Sequence, residues 1–295
     1  MNFIKNKIKI FIRNLKHLQQ LINTSEIPKK SIYNCNIKIH NFNFEKNNFA
    51  NNRPVLLLSS KYDKVISSRF TEFNRMFKYL KDFDIFFFNH TNRNKYMKKY
   101  WKHHDIYKLY KSATFHQMKS DIFRYCFIFD NGGYWLDFKS SVYFNFSNLM
   151  QKGNQNLLTY GPSAKINEKY KFLKDSSLLS STEGNIINNW VFGADKHSKF
   201  FNFVIENISK DYLTYKRKVF DHPKEAILEL TGPYKITKLF YKYINEDNDR
   251  IKEFFITSET DYEFQYISDF GRDFKLSDNI FFKHYSNVVN KKIIR

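Results

Sequence analysis

The segment that most restricts the fold of this chain runs from residue 113 to 144, ATFHQMKSDIFRYCFIFDNGGYWLDFKSSVYF. An apolar helical stretch meets the turn Asn131-Gly132-Gly133, and a short apolar strand, Tyr134 to Phe138, leaves it. Glycines at this point predict a left-handed helix cap. Asp121 and Arg124 are three positions apart and share a helix face. Asp137 and Lys139 are two apart and share a strand face. A tight connection between such elements can turn all four charged groups toward one pocket.

The rest of the chain supplies partners for that unit. Val55-Leu56-Leu57-Leu58 is a continuous apolar run of the kind buried on both faces of a parallel sheet. From Ile66 to Leu80, the residues Phe70, Phe73, Met76, Phe77 and Leu80 recur at helical spacing, and Asp84 to Phe88 reads as the next strand. Strand, helix and strand in this rhythm form a βαβ unit. Further helices are expected over 92–102 and 198–215, and further strands over 142–146, 157–160 and 190–194. The Ser-rich stretch 165–184 reads as a loop able to cover a site. The expected fold class from these runs is α/β, with a parallel sheet.

At the N-terminus, Ile4, Ile8, Phe11, Leu15, Leu18 and Ile22 recur at helical spacing, with Lys5, Lys9, Arg13 and Lys16 on another face. A basic amphipathic helix of this kind can lie on an anionic membrane or pack on the protein's own body. Residues 1–48 therefore read as this helix and a connector, and 49–295 as the main domain. No run approaches the roughly 20 apolar residues that cross a bilayer. Two cysteines, Cys35 and Cys126, suggest neither a disulfide framework nor a zinc site, which fits a cytoplasmic setting. The net charge of +20 calls for a polyanionic partner or reflects a lysine-rich composition, since the lysines are scattered. His103, His104 and His116 form no ligand pattern.

The string Lys119-Ser120-Asp121-Ile122-Phe123-Arg124-Tyr125, then Gly132-Gly133-Tyr134-Trp135-Leu136-Asp137-Phe138-Lys139, resembles the core of sugar-transferring enzymes with a GT-A fold, in particular the family 32 glycosyltransferases and their capsular-polysaccharide relatives. Their pattern reads approximately K-S-D-x-x-R-Y, then G-G-x-Y-x-D-x-D. The clostridial sugar-transferring toxins share this skeleton. Thr231-Gly232-Pro233 followed by Ile236-Thr237 is a second point of likeness. One position departs from the pattern: the second Asp of the D-x-D motif is Lys139.

The resemblance implies a GT-A-like (Rossmann-like) α/β fold, a mixed, mostly parallel sheet flanked by helices, and a nucleotide-sugar-dependent hexosyltransferase, acting with retention on a glycan or lipid-linked acceptor in surface polysaccharide synthesis. A peripheral position at the inner membrane face, through residues 1–23, would suit such an enzyme. Breaking the bond to a diphosphate needs cations or donors aimed at the leaving group. The D-x-D motif commonly meets that need through a divalent metal, Mn²⁺ or Mg²⁺. Carried over by position, Asp121 and Arg124 would hold hydroxyls of the donor sugar, and Asp137 would meet the ribose or a metal-bound water. Gly133, Tyr134 and Asn189 would border the donor, and His284 would return to the diphosphate. A protonated lysine cannot ligate a metal. Either Lys139 faces the diphosphate itself, or a metal is held by Asp137 with His284 or Asp278.

Two rival readings remain open. A basic, aromatic-rich nucleic-acid-binding protein would explain the charge, but no motif for specific nucleic-acid recognition is present. A chain that binds a sugar nucleotide without turnover would explain Lys139.

Overall fold

The computed structural model describes residues 24–26, 39–40, 42, 44, 53–60, 64–66, 76–138, 140–147, 149, 155–161, 186–258, 264–266 and 288–295. The segments expected as a basic N-terminal helix and as a loop over 165–184, with Lys139, Asp278 and His284, lie outside these residues.

Among the described residues seven strands build the main sheet: β1 (Ile39–His40), β2 (Val55–Ser59), β3 (Asp84–Phe88), β4 (Gly133–Leu136), β5 (Asn156–Gly161), β6 (Ile186–Ala194) and β7 (Phe254–Ser258). Their order across the sheet is β7-β5-β6-β4-β2-β3-β1. All neighbours pair parallel except the two pairs made by β6, which runs against both β4 and β5. The helices are α1 (His90–Trp101), α2 (Asp105–Ser112), α3 (His116–Asn131), α4 (Lys199–Tyr215), α5 (Pro223–Leu230) and α6 (Pro233–Glu246). This is the expected mixed, mostly parallel α/β sheet with flanking helices. β1 comes from residues 39–40 and Phe42 packs into the core, so the main body takes in residues before 49.

Side-chain alternation divides the core between the two sheet faces. Leu56, Leu58, Ile85, Phe87, Tyr134 and Leu136 point to one face, against Met76, Phe77, Leu80, Phe83 and Phe146. Leu57, Phe86, Phe88 and Trp135 point to the other, against the inward residues of α1, α3, α4 and α6. Every residue of α3 from Asp121 to Ile128 is buried. The helix runs through the core rather than over it, which is why its polar pair is shielded from water.

Gly132 and Gly133 let α3 turn directly into β4. Gly132 has φ 70° and ψ −172°, so its positive φ is as expected, but its ψ is extended rather than that of a left-handed helical cap. Gly133 has φ +97°, and a Cβ there would sit 2.5 Å from the Val55 carbonyl oxygen and 2.8 Å from its Cβ. The close approach of β4 to β2 thus requires glycine on two counts.

Several boundaries moved. Lys64–Ile66 pairs antiparallel with Thr24–Glu26, so Ile66 belongs to a strand rather than to a helix start. Of the helix expected up to Leu80, the described residues keep Met76 and Phe77. The strand expected over 142–146 is Ser140–Val142, paired with Phe264–Tyr266; Phe146 instead tucks into the core beyond a turn in which Asn145 Oδ1 accepts from Ser147 N. Helices α2, α5 and α6 were not foreseen. No helix among the described residues is long and apolar enough to cross a membrane.

Candidate active site

The carboxyl end of β4 lies against the first half of α3, and there the charged groups meet. Asp121 and Arg124, one turn apart on α3, form an ion pair with Arg124 Nη2 3.0 Å from Asp121 Oδ1. Arg124 Nη1 lies 3.2 Å from Asp137 Oδ1, just past the end of β4. Its guanidinium also donates to the Asn189 carbonyl, and stacks over the Trp135 ring at 4.5 Å from the centroid. Trp135 Nε1 donates to the same Asp137 oxygen at 2.8 Å. The Asp137 backbone is fixed as well: its N donates to Trp190 O at 2.7 Å, and its O accepts from Ser140 N at 2.8 Å.

Asp121 is tied in from two further elements. Asn189 of β6 donates through Nδ2 to Asp121 Oδ1 at 3.2 Å. Thr231, at the junction of α5 and α6, donates through Oγ1 to Asp121 Oδ2 at 3.1 Å. The Thr231 carbonyl in turn accepts from the Tyr125 hydroxyl at 2.9 Å, one helical step from Arg124. Asp121 and Arg124 are each 6% exposed. The Asp137 side chain is 26% exposed. Asp137 is therefore the more open of the two carboxylates, and the buried pair behind it fixes where it points.

Burial pushes the Asp121 carboxyl up to about 7, outweighing the pull of the adjacent Arg124 guanidinium; the Asp137 charge adds to the rise, while Thr231 and Asn189 oppose it. The Tyr125 hydroxyl is raised above its ordinary range, first by burial and then by the Asp121 charge. A second arginine, Arg93 of α1, is 3% exposed and feels the charges of both Asp121 and Arg124. Burial lowers its guanidinium to about 10.

Of the expected site residues, Asp121, Arg124, Asp137 and Asn189 converge in one cluster. Gly133 stands at the opposite, amino-terminal end of β4, against Val55. Tyr134 is 1% exposed on the other face of the sheet, its ring against Phe83 and Phe146 and its hydroxyl donating to Ser147 O. These two shape the strand rather than the charge cluster. Thr231 and Arg93 were missed as site residues. Thr231 stood in the T-G-P string. Arg93 shares the buried stripe of α1 with Tyr96, Met97 and Trp101, a charge where the helical period asks for an apolar group.

A divalent cation would find little here among the described residues. They contain no group of three His, Cys, Asp or Glu side chains placed to hold a metal. Both oxygens of Asp121 accept from protein donors. Asp137 Oδ2 is the oxygen left for a ligand, and one oxygen is a small part of the six that Mg²⁺ demands. The described residues alone do not fit the ion. A separate hollow of about 670 Å³, between α4 and α6, is lined by Lys199, Glu206, Lys242 and Arg250 among others, and no member of the Asp121 cluster borders it.

No family model matches this sequence, and no curated protein does. Among solved structures, the fold is similar to that of the PaToxG glycosyltransferase, with a TM-score of 0.43 and 12% identity, covering 83% of this chain and 83% of that one.

Proposed function

We propose that this chain is a glycosyltransferase that moves a sugar from a nucleotide-sugar donor to a glycan or lipid-linked acceptor. One observation carries the reading. Asp121, Arg124 and Asp137, the residues of the D-x-x-R and G-G-x-x-x-D strings, join in a single buried charge network at the carboxyl end of a central strand. Ligands of open α/β sheets bind at that end. An isolated Asp-x-x-Arg pair on a helix is ordinary; one buried at 6% exposure and linked to a third, solvent-facing charge is not.

In this reading Asp137 meets the donor, accepting hydroxyl hydrogen bonds through Oδ2, the oxygen with no partner among the described residues. Arg124 and Trp135 clamp its other oxygen, so the carboxylate is oriented before the ligand arrives. Asp121 holds Arg124 and ties the site to Asn189 and Thr231. The reaction breaks the bond between the anomeric carbon and the diphosphate oxygen and forms one to the acceptor hydroxyl oxygen. The hydroxyl proton leaves to the diphosphate or to water. Retention of configuration, a surface-polysaccharide acceptor, membrane contact through residues 1–23, and the roles of Lys139 and His284 are parts of the same proposal that the sequence resemblance supplies.

The test is hydrolysis or transfer from a panel of UDP- and GDP-sugars, with and without EDTA. Turnover of at least one donor by the wild type, with loss of about 10²-fold or more in Asp137→Ala, is the expected result. Wild-type turnover in Asp137→Ala would remove the assigned site, and EDTA resistance would assign the diphosphate charge to protein cations. Donor binding without transfer to any acceptor would favour the second reading, a sugar-nucleotide-binding protein, which the lysine of the D-x-K string supports.

A further inference from the structure

Three cations are buried among the described residues: Arg93, Arg124 and Lys235. Arg124 is paired with Asp121 and Asp137, and Lys235 with Asp211. Arg93 differs. Its Nε is buried without an acceptor, and its guanidinium takes part in no hydrogen bond or ion pair among the described residues. Taking a guanidinium out of water without a partner is unfavourable. A methionine or leucine would fill the same place on the apolar stripe of α1 without that cost. Such a group in a native fold calls for an explanation, and a missing anion supplies one.

Its position names the kind of anion. Arg93 stands in the first turn of α1, which begins two residues after β3 ends, and so at the same carboxyl edge of the sheet as the Asp121 cluster. The first turn of α1 holds no acidic residue. The rings of His90 and His116, from the starts of α1 and α3, meet at 4.4 Å, and His90 stands one turn before Arg93 on α1. Lys119, on the first turns of α3, also feels the Arg93 charge. A lysine from the start of α3 is thus close enough to act on a guanidinium that has no acceptor among the described residues. A guanidinium's planar fork matches the oxygens of a phosphate.

We propose that Arg93 binds the diphosphate of the donor, as a protein counter-charge to the leaving group. The proposal deepens the glycosyltransferase reading and rests on it for the identity of the ligand, but the anion site can be tested apart from it. Binding of inorganic pyrophosphate, UDP and uridine is measured by calorimetry on the full chain, for wild type, Arg93→Met and Arg93→Lys. Pyrophosphate is expected to bind the wild type and to bind Arg93→Met at least about tenfold more weakly, with Arg93→Lys in between. UDP should follow pyrophosphate, while uridine, lacking phosphate, should not distinguish the variants. Without ligand, Arg93→Met should melt no lower than wild type, because it removes an unpaired buried charge.

Equal pyrophosphate binding by wild type and Arg93→Met overturns the proposal, as does no pyrophosphate binding by the wild type. A markedly lower melting temperature of ligand-free Arg93→Met also overturns it, since Arg93 would then be structural. The two readings can fail separately. Pyrophosphate binding that depends on Arg93, with no sugar-nucleotide turnover, leaves the anion site standing and removes the enzyme. Turnover that Arg93→Met leaves at the wild-type level does the reverse.

Discussion

Asp121 is a buried carboxylate tied to three side chains, Arg124, Asn189 and Thr231. These three partners are all donors, which suits the ionised form, yet burial, with the Asp137 charge adding to it, holds the carboxyl up near 7. The sign for stability follows from linkage. The folded state keeps the proton to a higher pH than the unfolded chain does, so between about pH 4 and pH 7 folding binds protons. The stability from this residue is greatest below the unfolded value, falls as pH rises toward 7, and levels off above it. Asp121→Asn should remove that slope. The amide can keep its oxygen toward Arg124 and Asn189 and turn its NH₂ toward Thr231, whose hydroxyl can accept instead of donate. Urea denaturation at pH 5, 6, 7 and 8 should show wild type losing a few kcal/mol relative to Asp121→Asn across this range; parallel profiles would mean that Asp121 does not titrate there. Arg124 gives the complementary case. Its loss leaves Asp121 buried without its cation and Asp137 without its clamp, so Arg124→Ala should cost about 3–5 kcal/mol at pH 8. The penalty should shrink at pH 5, where Asp121 takes up a proton. A pH-independent cost in the same denaturant series would assign the effect to packing on Trp135 alone.

At the scale of elements, the site depends on how closely β4 approaches its neighbours. Gly133→Ala places a methyl 2.5 Å from the Val55 carbonyl oxygen, at a φ of +97° that L-residues rarely adopt. Both strain and clash oppose it, so a loss of roughly 3 kcal/mol or more is expected in denaturant melts; a loss below about 1 kcal/mol would show that β2 and β4 can part without consequence. On the other side of β4, β6 is held by α6, where Thr237 Oγ1 accepts from Ile187 N at 2.9 Å. Thr237→Val is close in shape but leaves that buried N–H unpaired, at a cost of about 1–3 kcal/mol by the same measurement. Because β6 carries Asn189, the variant should also weaken any ligand of the Asp121 cluster. Much of this layout could be read from the chain. The apolar runs at Val55 and Asp84 became β2 and β3, since strands buried on both faces need no alternation to be recognised. The Asp121, Arg124 and Asp137 strings met because a helix, two glycines and a strand fix their spacing locally. Thr231 and Arg93 were hidden for the opposite reason: their roles depend on contacts of α5 and α1 with α3, which no local period encodes. Tyr134 belonged to the family-like string, but strand alternation sends it to the face away from Asp137.

Across the whole molecule, charge of one sign prevails. The chain carries 49 Lys and Arg against 29 Asp and Glu, for a net charge of +20. Two effects of salt then compete. Screening weakens attractive surface pairs such as Asp105–Lys108 and Asp249–Lys252, both well exposed. Such pairs contribute about 0–1 kcal/mol each, so little is lost with them. Screening also relaxes the mutual repulsion of the excess cations, which acts over the Debye length and rises with compaction. With twenty uncompensated charges on one body the second effect should prevail. Raising NaCl from about 20 to about 300 mM shortens the Debye length from roughly 20 Å to below 8 Å. The melting temperature should rise by about 2–4 °C for each kcal/mol of repulsion removed. The rise should persist in Arg93→Met, because it comes from distributed charge and not from an anion seated at one guanidinium. Scanning fluorimetry across a NaCl series on both proteins decides the matter. A flat or falling melting temperature would mean that attractive pairs already balance the excess, and a rise confined to wild type would place the whole salt effect at the Arg93 site.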